Sequence, residues 1–194
     1  MESIVFATSN PNKIREVDEL IGEIFNIIGL KEIGCEEDIP ETQPTIEGNA
    51  LQKAQYVLDN YQSDCFAEDT GLEVEALNGE PGVYSARYAG PQRNSQDNMD
   101  LLLQKLEGNE NRKARFKTVV ALVLEGEVHT FEGIVEGRIG FAPQGEGGFG
   151  YDPLFYPEQH DITFAEMDPA TKNAISHRGR AIHKLVEFLK ARNT

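Results

Sequence analysis

Two adjacent carboxylates, Glu68 and Asp69, stand at the end of the apolar run 65–67 and are followed by Thr70 and Gly71. This order predicts a buried strand that leaves the core and ends in a sharp turn facing solvent. Adjacent carboxylates repel each other and favour a nearby cation, and oxygen ligands at the end of a strand suit Mg²⁺. An acidic turn that only caps the next element is the alternative, and both interpretations stay open on these residues alone.

A second candidate site precedes the first predicted helix. Residues 4–8 form an unbroken apolar run, which predicts a central strand buried on both faces. The turn-forming residues 9–13 follow, and apolar residues then recur at helical spacing as far as Ile24. Free N–H groups at a helix N-terminus attract anions, and Lys13 adds a positive charge there. Because the glycines of a phosphate-binding loop are missing, an ordinary capped helix is the alternative.

Lys53 lies beside the apolar face of a helix predicted over 47–61. Such a lysine usually extends along the apolar surface to water. The preceding segment 35–44 is acidic, contains prolines and includes Glu41, so a solvated loop is its simplest interpretation. Neither residue identifies a binding site by its local pattern.

Five glycines and a proline between residues 140 and 150 exclude regular structure and predict a mobile or tightly turned loop. The loop delivers Phe149, and Asp152 follows shortly after it. An aromatic ring in this position could stack on a planar base, a contact worth ~1–3 kcal/mol, and the carboxylate could bond the edge of the base. The alternative is that Phe149 and Tyr151 fold back into the core beneath the loop.

A short cationic segment lies near the C-terminus, where Lys172, His177, Arg178 and Arg180 fall within nine residues of an acidic chain. Such a local concentration of positive charge attracts anions. A helix-capping cluster with incidental charge is the alternative, with Ser176 as a plausible N-cap. The segment 176–180 is expected to interrupt the chain before a last helix, whose helical spacing turns Ile182, Leu185, Val186 and Leu189 inward.

The chain of 194 residues has a formal net charge of -15 and a sequence pI of about 4.6. Excess negative charge repels nucleic-acid backbones and anionic membranes, so neither is an expected partner. The two cysteines, Cys35 and Cys65, form neither a zinc site nor a disulfide framework, and no apolar run approaches the ~20 residues of a membrane span. We therefore expect a soluble, cytoplasmic protein with one domain over 1–194.

Alternating strand and helix patterns fill the rest of the chain. An alternation of apolar and acidic residues predicts an exposed strand over 72–77. Two apolar runs, 116–124 and 128–139, predict a β-hairpin across residues 125–126. Asn94 or Ser95 can cap a helix that runs through Glu107, and Asp168 with Pro169 opens a short helical segment.

Taken together, these segments resemble the inosine triphosphate pyrophosphatase family, whose members hydrolyse noncanonical purine nucleoside triphosphates. The matching segments follow the family's order over nearly the whole chain. They are residues 8–13, 48–50 with Lys53, 68–72, 81–88, 147–153, Lys172 and 176–179. In one departure, many relatives have a glutamate immediately before Asn49, where this chain has Gly48 and carries Glu47 one position earlier.

The resemblance implies a mixed α/β fold, with an elongated twisted mixed β-sheet flanked by helices and two lobes around a central cleft. The strand and helix patterns along the chain agree with this class. It also implies a homodimer that hydrolyses inosine, deoxyinosine and xanthosine triphosphates (ITP, dITP and XTP) to the monophosphate and pyrophosphate. Such an enzyme cleanses the nucleotide pool.

The resemblance assigns Asp69 as the general base that orients or deprotonates the attacking water. We hypothesise that Mg²⁺ is held by Asp69 and Glu41, with Glu68 assisting. Lysines and the loop after the first strand would hold the triphosphate, and the base would stack on Phe149. The hypothesised substrate-binding residues are Thr8, Ser9, Asn10, Pro11, Asn12, Lys13, Lys53, Thr70, Phe149, Gly150, Tyr151, Asp152, Lys172, His177 and Arg178.

Hydrolysis to monophosphate and pyrophosphate requires in-line attack of water on the α-phosphorus, where positioning and electrostatics supply most of the catalysis. Hypoxanthine and xanthine present an acceptor oxygen at C6, where adenine presents an amino donor. A pocket of donors such as His177 and Arg178 would leave those donors unpaired against adenine. This mismatch predicts discrimination against adenosine triphosphate.

Two rival functions stay open at this point. A Maf-like pyrophosphatase of the septum-inhibition type would act on pyrimidine or other modified nucleotides, but segments 149–152 and 176–178 favour the purine family. A non-catalytic nucleotide sensor is a different class of protein. It could dispense with the water-activating Asp69, which this chain retains.

Overall fold

The computed structural model describes residues 2–192, in which six β-strands are interspersed with five α-helices. The strands are β1 (Glu2–Phe6), β2 (Phe25–Ile28), β3 (Cys65–Val74), β4 (Lys113–Leu124), β5 (Glu127–Ile139) and β6 (Phe155–Pro157). The helices are α1 (Pro11–Ile21), α2 (Ile46–Tyr61), α3 (Ser95–Lys105), α4 (Pro169–Ile175) and α5 (His177–Arg192). Within residues 2–192, no helix has both the length and the hydrophobicity needed to cross a membrane.

One sheet contains all six strands in the order β2-β1-β3-β4-β5-β6. β1 runs parallel to β2 and β3, whereas β5 is antiparallel to β6, so the sheet is mixed. β1 has a neighbour on each side, as its unbroken apolar run predicted. The neighbours β4 and β5 are joined by Glu125 and Gly126, both with positive φ, which is the hairpin turn that the sequence predicted. The predicted mixed α/β class is confirmed.

β3 corrects the expectation for the paired carboxylates. The strand does not end in a solvent-facing turn at residues 68–71 but continues to Val74, with Glu68 fully buried and Asp69 7% exposed. Local composition favours a turn there, but cations from other elements neutralise the carboxylates and allow their burial. The exposed strand predicted over 72–77 is also wrong, because Leu72 and Val74 are fully buried, β3 ends at Val74, and residues 75–77 form a short 3-10 helix.

The chain divides into two compact units, and β3, β4 and β5 contribute residues to both. Unit 1 comprises Met1–Asp69, Thr118–Gly133 and Arg178–Thr194, and unit 2 comprises Thr70–Lys117 and Ile134–His177. Because each unit is assembled from separate segments, neither corresponds to a continuous stretch of sequence. The single domain over 1–194 stays a prediction.

Unit 1 has a core of aromatic and aliphatic side chains. Phe6 and Phe66, on the neighbouring strands β1 and β3, stack with ring centroids 4.4 Å apart and planes inclined by 7°. α5 contributes the apolar stripe that helical spacing predicted, although this helix begins at His177 and not after the segment 176–180. The stripe consists of Ile182, Leu185, Val186 and Leu189.

Unit 2 has its own core, centred on Phe116, Phe155 and Phe164. Tyr151 belongs to this core, and its hydroxyl donates to the backbone carbonyl of Ser85 at 2.7 Å. Of the two alternatives for the aromatics of the glycine-rich loop, Tyr151 therefore follows the core alternative.

Helix caps occur where polar residues predicted them. Asn10 caps α1, Asn94 caps α3 and Asp168 caps α4. α1 ends at Ile21, so Ile24, which spacing assigned to its apolar face, lies beyond the helix and is 41% exposed. The caps were predictable because each depends only on residues within one helical turn.

Two backbone hydrogen bonds fasten the first part of the glycine-rich loop, residues 140–150. The N–H groups of Gly140 and Gln144 donate to the carbonyls of Leu154 and Pro153 at 2.7 and 2.8 Å. These bonds tie the first half of the loop to the segment that follows it. The loop thereby holds Phe149 at a defined place in unit 2.

Candidate active site

A buried ion cluster in unit 1 joins α1, β3 and α5. Arg178 donates from Nε and Nη2 to the two carboxylate oxygens of Glu68 at 2.8 and 2.9 Å, and it also pairs with Glu16. The ammonium of Lys13 pairs with Glu68 at 3.0 Å. Because Glu68 and Arg178 are almost completely buried, the charge of each must be compensated by its partners.

The pKa values of these groups follow from their burial and pairing. Burial alone would raise the pKa of Glu68, but Arg178 and Lys13 hold it below its ordinary value. Burial likewise opposes the charge on Arg178, but Glu68 and Glu16 hold its pKa above the ordinary value. For Lys13 burial dominates and lowers the pKa, so a further anion beside this ammonium would stabilise its charged form.

The predicted phosphate loop links β1 to α1. The side chain of Asn10 accepts from the N–H groups of Asn12 and Lys13 at 3.0 and 3.4 Å, and the Asn10 N–H donates to Oγ1 of Thr8 at 3.2 Å. The side chain of Asn10 thus occupies two of the first N–H groups of α1, which are then not available to an anion. The ammonium of Lys13 is therefore the principal positive group at this end of the helix. The exposed members of the loop are Ser9 and Pro11.

Asp69 lies beside a lysine that is itself buried. The ammonium of Lys53 is 2.7 Å from Oε1 of Glu41 and 3.9 Å from Oδ1 of Asp69. Lys53 is 5% exposed, so the alternative in which it extends to water is wrong. Burial raises the pKa of Asp69, while Lys53 and Lys13 act in the opposite direction. A raised pKa suits a carboxylate that accepts a proton during catalysis.

One oxygen of Asp69, Oδ2, is buried without a hydrogen-bond partner among residues 2–192. A buried acceptor of this kind is costly unless a ligand satisfies it, and Asp69 and Glu41 both offer the hard oxygens that Mg²⁺ prefers. Glu68 uses both oxygens on Arg178, and the described residues contain no group of three or more His, Cys, Asp or Glu arranged to hold a metal. Two carboxylates fit Mg²⁺ when phosphate oxygens and water complete its shell.

In unit 2, Asp152 organises the tip of the glycine-rich loop. Its Oδ2 accepts from the N–H of Phe149 at 3.0 Å and from the ammonium of Lys172 at 2.8 Å. That ammonium lies 5.0 Å from the centre of the Phe149 ring, a cation–π distance. Gly148 has a φ of 68°, and a Cβ there would lie 2.2 Å from Oδ2 of Asp152, so the turn requires glycine. Phe149, Asp152 and Lys172, three of the hypothesised base-binding residues, therefore lie together in unit 2, and their contact with a base stays a prediction.

Two other residues of the predicted base site are packed into the core of unit 2. The ring of His177 stacks on Phe116, with centroids 4.6 Å apart and planes inclined by 16°. Tyr151 is buried, which raises its pKa and keeps its hydroxyl protonated as a donor. The remaining predicted residues of this unit, Thr70 and Gly150, are half-buried.

The structure brings four predicted residues of the phosphate and catalytic site together within unit 1. Lys13 and Arg178 share Glu68 as a partner, Lys53 pairs with Asp69, and Lys13 acts on the pKa of Asp69. This acidic chain therefore gathers cations around a few buried carboxylates. Arg178 lies inside the ion cluster, and its contact with the edge of a base stays a prediction.

Sequence comparison places the chain in a known family. The sequence model of the Ham1 family matches residues 4–188. The chain belongs to the Ham1 family. A dITP/XTP pyrophosphatase of Flavobacterium johnsoniae is 56% identical over 97% of this Ham1 chain and 98% of that protein. A dITP/XTP pyrophosphatase of Porphyromonas gingivalis is 52% identical over 97% of this chain and 98% of its own.

Solved Ham1 structures share the fold. The Ham1 protein of Staphylococcus aureus superposes with a TM-score of 0.89 at 39% identity, covering 98% of this chain and all of the other. A Ham1 protein from Coxiella burnetii gives a TM-score of 0.90 at 38% identity with the same coverage. The resemblance drawn from the sequence segments is therefore confirmed.

Two glutamates of this Ham1 chain form side-chain contacts that the sequence patterns did not predict. Glu16 lies on α1 beside the apolar stripe, and nothing in its spacing distinguishes it from a surface glutamate. Glu37 accepts from the hydroxyls of Tyr61 and Tyr56 at 2.5 and 2.9 Å, and these bonds lower its pKa to about 2. They fasten the acidic loop that carries Glu41 to α2. Two tyrosines five residues apart on one helix were the available signal.

Gly48, where the resemblance led us to expect a glutamate, is fixed by local contacts. Its N–H donates to Oγ1 of Thr45, the N-cap of α2, at 2.9 Å. A Cβ at this position would lie 2.8 Å from Cβ of Gln43, so a glutamate would need that loop to shift. In this Ham1 chain the neighbouring Glu47 is exposed in the first turn of α2, where a negative charge stabilises the helix.

Proposed function

We propose that this chain hydrolyses the noncanonical purine nucleoside triphosphates ITP, dITP and XTP to the monophosphate and pyrophosphate. The observation that carries the proposal is the meeting of Lys13, Lys53 and Asp69 around buried carboxylates in unit 1. The relatives named dITP/XTP pyrophosphatase, which match nearly the whole chain, support the substrate class. A sensor is less well supported, because a buried carboxylate among the cations would weaken the binding of a polyanion.

Lys13 and Lys53 would hold the triphosphate. An ammonium has three donors, so each lysine can keep its carboxylate partner and still donate to phosphate oxygens. The lowered pKa of Lys13 means that an added anion would stabilise its charge. In a chain with a net charge of -15, such a local collection of cations is what attracts a polyanionic substrate.

Asp69 would orient and deprotonate the water that attacks the α-phosphorus. Because burial raises its pKa, Asp69 is a stronger base than an exposed aspartate. In-line attack requires this water to lie opposite the leaving pyrophosphate, and the lysines would fix that orientation through the phosphates. Mg²⁺ bound by Asp69 and Glu41 would neutralise charge on the phosphate oxygens.

The purine would be bound by the residues that Asp152 organises in unit 2. Phe149 offers a ring for stacking, and Lys172 and His177 supply donors for the oxygen at C6. Adenine presents an amino group there and would leave these donors without an acceptor. Tyr151 would support the loop from beneath through its hydrogen bond to Ser85 rather than stack on the base.

Product analysis tests the proposed reaction. With ITP in water enriched in oxygen-18, we expect inosine monophosphate and pyrophosphate, with the label only on the monophosphate. Attack at the α-phosphorus leaves the oxygen of water on that group. Formation of inosine diphosphate and phosphate, or label in the pyrophosphate, would contradict the proposal.

Replacing Lys13 by alanine is expected to raise KM for ITP about 10- to 100-fold, because a charge-assisted contact is worth about 1.5–3 kcal/mol. The value of kcat should change less, since this contact would bind substrate and transition state alike. Lys31→Ala, at an exposed lysine of the same unit, is the matched control and should leave KM unchanged. An unaltered KM in the Lys13 variant would count against its role in phosphate binding.

The family resemblance also leads us to propose a homodimer and a cytoplasmic location. Sedimentation equilibrium should then give twice the 21.6 kDa mass of one chain. A single-chain mass at every concentration tested would argue against the dimer.

A further inference from the structure

Arg112 is a buried arginine whose hydrogen bonds end on backbone carbonyls. It is 9% exposed, and its Nε and Nη1 donate to the carbonyls of Ile139 and Leu106, each at 3.1 Å. Its Nη2 donates to the carbonyl of Gly140 at 2.7 Å. Leu106 directly follows α3, Ile139 ends β5, and Gly140 begins the glycine-rich loop. Arg112 therefore ties the end of a helix to the root of that loop.

Within residues 2–192, no carboxylate forms an ion pair with Arg112, and burial lowers its pKa. Carbonyl dipoles stabilise the charge instead, including one at the C-terminal end of α3, where the helix dipole favours a cation. The ring of Phe141 lies 4.4 Å from the guanidinium carbon, although Phe141 itself is 76% exposed. A buried cation without an anionic partner opposes folding, so its presence at this point favours a role other than stability.

A short path of hydrogen bonds leads from Arg112 to the tip of the loop. Gly140, whose carbonyl accepts from Arg112, donates through its own N–H to the carbonyl of Leu154 at 2.7 Å. Two residues before Leu154, the carboxylate of Asp152 accepts from the N–H of Phe149 at 3.0 Å. A displacement of Gly140, at the root (the first residue) of the loop, would therefore be transmitted to Phe149 through a small number of directional hydrogen bonds.

We propose that Arg112 is a positioning residue that fixes the root of the glycine-rich loop and thereby the place of Phe149. The consequence for base binding rests on the proposed function, whereas the consequence for loop geometry does not. Lysine cannot replace this residue, because a single ammonium lacks the planar fork that reaches three separate carbonyls. The change R112K therefore keeps the charge and removes the geometry.

The position of the loop can be measured without a substrate. The chain contains no tryptophan, so Phe149→Trp places a single indole at the tip of the loop. In this F149W background, R112K is expected to raise the acrylamide quenching constant about twofold, because a released root increases local opening. Equal quenching in R112K and its F149W parent would overturn the proposal.

The matched control is R115K, three residues further along the chain on β4. Arg115 pairs with Glu73 at 2.9 Å and its side chain is 39% exposed, so it does not hold the loop. In the F149W background, R115K should leave the quenching constant unchanged. A rise equal to that in R112K would show a general effect of replacing an arginine near the start of β4 and would overturn the positioning role.

Kinetics test the consequence for the base. With Phe149 intact, R112K is expected to raise KM for ITP about tenfold and to leave the inhibition constant of tripolyphosphate, which has no base, unchanged. Equal weakening of both would indicate a loosened fold and overturn the proposal. If the parent enzyme does not hydrolyse ITP, the proposed function fails, while the quenching experiment still decides the position of the loop.

If R112K does not fold, the variant Phe141→Ala tests the positioning role of Arg112 instead. Because Phe141 is largely exposed, its removal leaves the core intact but opens the guanidinium of Arg112 to water. In the F149W background, F141A should raise the quenching constant in the same direction, by about half as much as R112K would, because a cation–π contact is weaker than three hydrogen bonds. An unchanged constant in F141A, with R112K unfolded, would overturn the proposal.

Discussion

Replacing Asp69 by asparagine is expected to lower kcat for ITP hydrolysis by about 10²- to 10⁴-fold while the protein stays folded. Asparagine has nearly the same shape, but it cannot accept the proton of the attacking water. Because burial raises the pKa of Asp69, its ionised form opposes folding, and the neutral amide should leave Tm unchanged or raise it. Pyrophosphate release and thermal unfolding measure the two effects separately.

Asp59→Asn is the matched control for this prediction. Asp59 is an exposed carboxylate near the end of α2, in the same unit as Asp69. This variant should retain the kcat of the parent. Normal turnover by D69N would contradict the catalytic role of Asp69, and loss of turnover together with loss of cooperative unfolding would indicate a structural role.

Replacing Arg178 by methionine is expected to lower the free energy of unfolding by about 3–5 kcal/mol at pH 7, because it leaves buried carboxylates without their cation. Of the ion pairs within residues 2–192, Glu68 would keep the one with Lys13, and Glu16 would lose the guanidinium it pairs with. Urea denaturation measures this loss. Arg180→Met, at an exposed position of the same helix, should cost less than about 0.5 kcal/mol. Equal stability of R178M and the parent would contradict the account of the ion cluster.

The loss of stability in R178M should shrink as the pH falls. In the parent, Arg178 and Lys13 hold the pKa of Glu68 below its ordinary value of 4.5, so this carboxylate stabilises the fold above that pH and less below it. In R178M, Glu68 has lost one of the two cations that oppose the effect of burial on its pKa, so it binds a proton at a higher pH than in the parent. Once protonated, Glu68 no longer places a charge in the interior, so it destabilises the variant less at acid pH. The difference in the free energy of unfolding between R178M and the parent, measured from pH 7 to pH 4, should therefore become smaller as the pH falls. A constant difference would argue against this explanation.

Elements that depend on neighbouring residues could be predicted from the sequence. Helical spacing identified the buried face of α5, including Leu185 and Leu189, and polar residues before α3 and α4 identified their caps. Two apolar runs across Glu125 and Gly126 identified the hairpin. Each signal lies within a few positions of the feature that it predicts.

β3 shows why other features could not be predicted. The composition of residues 68–71 favours a turn, yet the strand continues because Arg178, 110 residues further along the chain, neutralises Glu68. Lys53 is buried for a similar reason, since Glu41 and Asp69 take up its charge. Pairings between distant positions leave no periodic trace in a single sequence.

The residues of the candidate active site also differ in whether the sequence could indicate them. The resemblance to a family identified Lys13 and Asp69, whereas local patterns left a capped helix and an acidic turn as alternatives. No local sequence pattern indicated the roles of Glu16 and Arg112. In the sequence alone, Arg112, which binds backbone carbonyls, cannot be told from the more exposed Arg115 three positions later. Burial and partners distinguish these residues, and both depend on the folded chain.

We infer that this acidic chain gathers cations around Asp69 to hydrolyse noncanonical purine triphosphates whose base has an acceptor oxygen at C6. The most direct measurement is kcat/KM for pyrophosphate release from ITP, dITP and XTP, compared with ATP and dATP, whose base has an amino group there. We expect the first three to exceed the other two by about 10²-fold or more, as a mismatch in buried hydrogen bonding allows. Equal values for all five nucleotides, or no pyrophosphate from ITP, would contradict this inference.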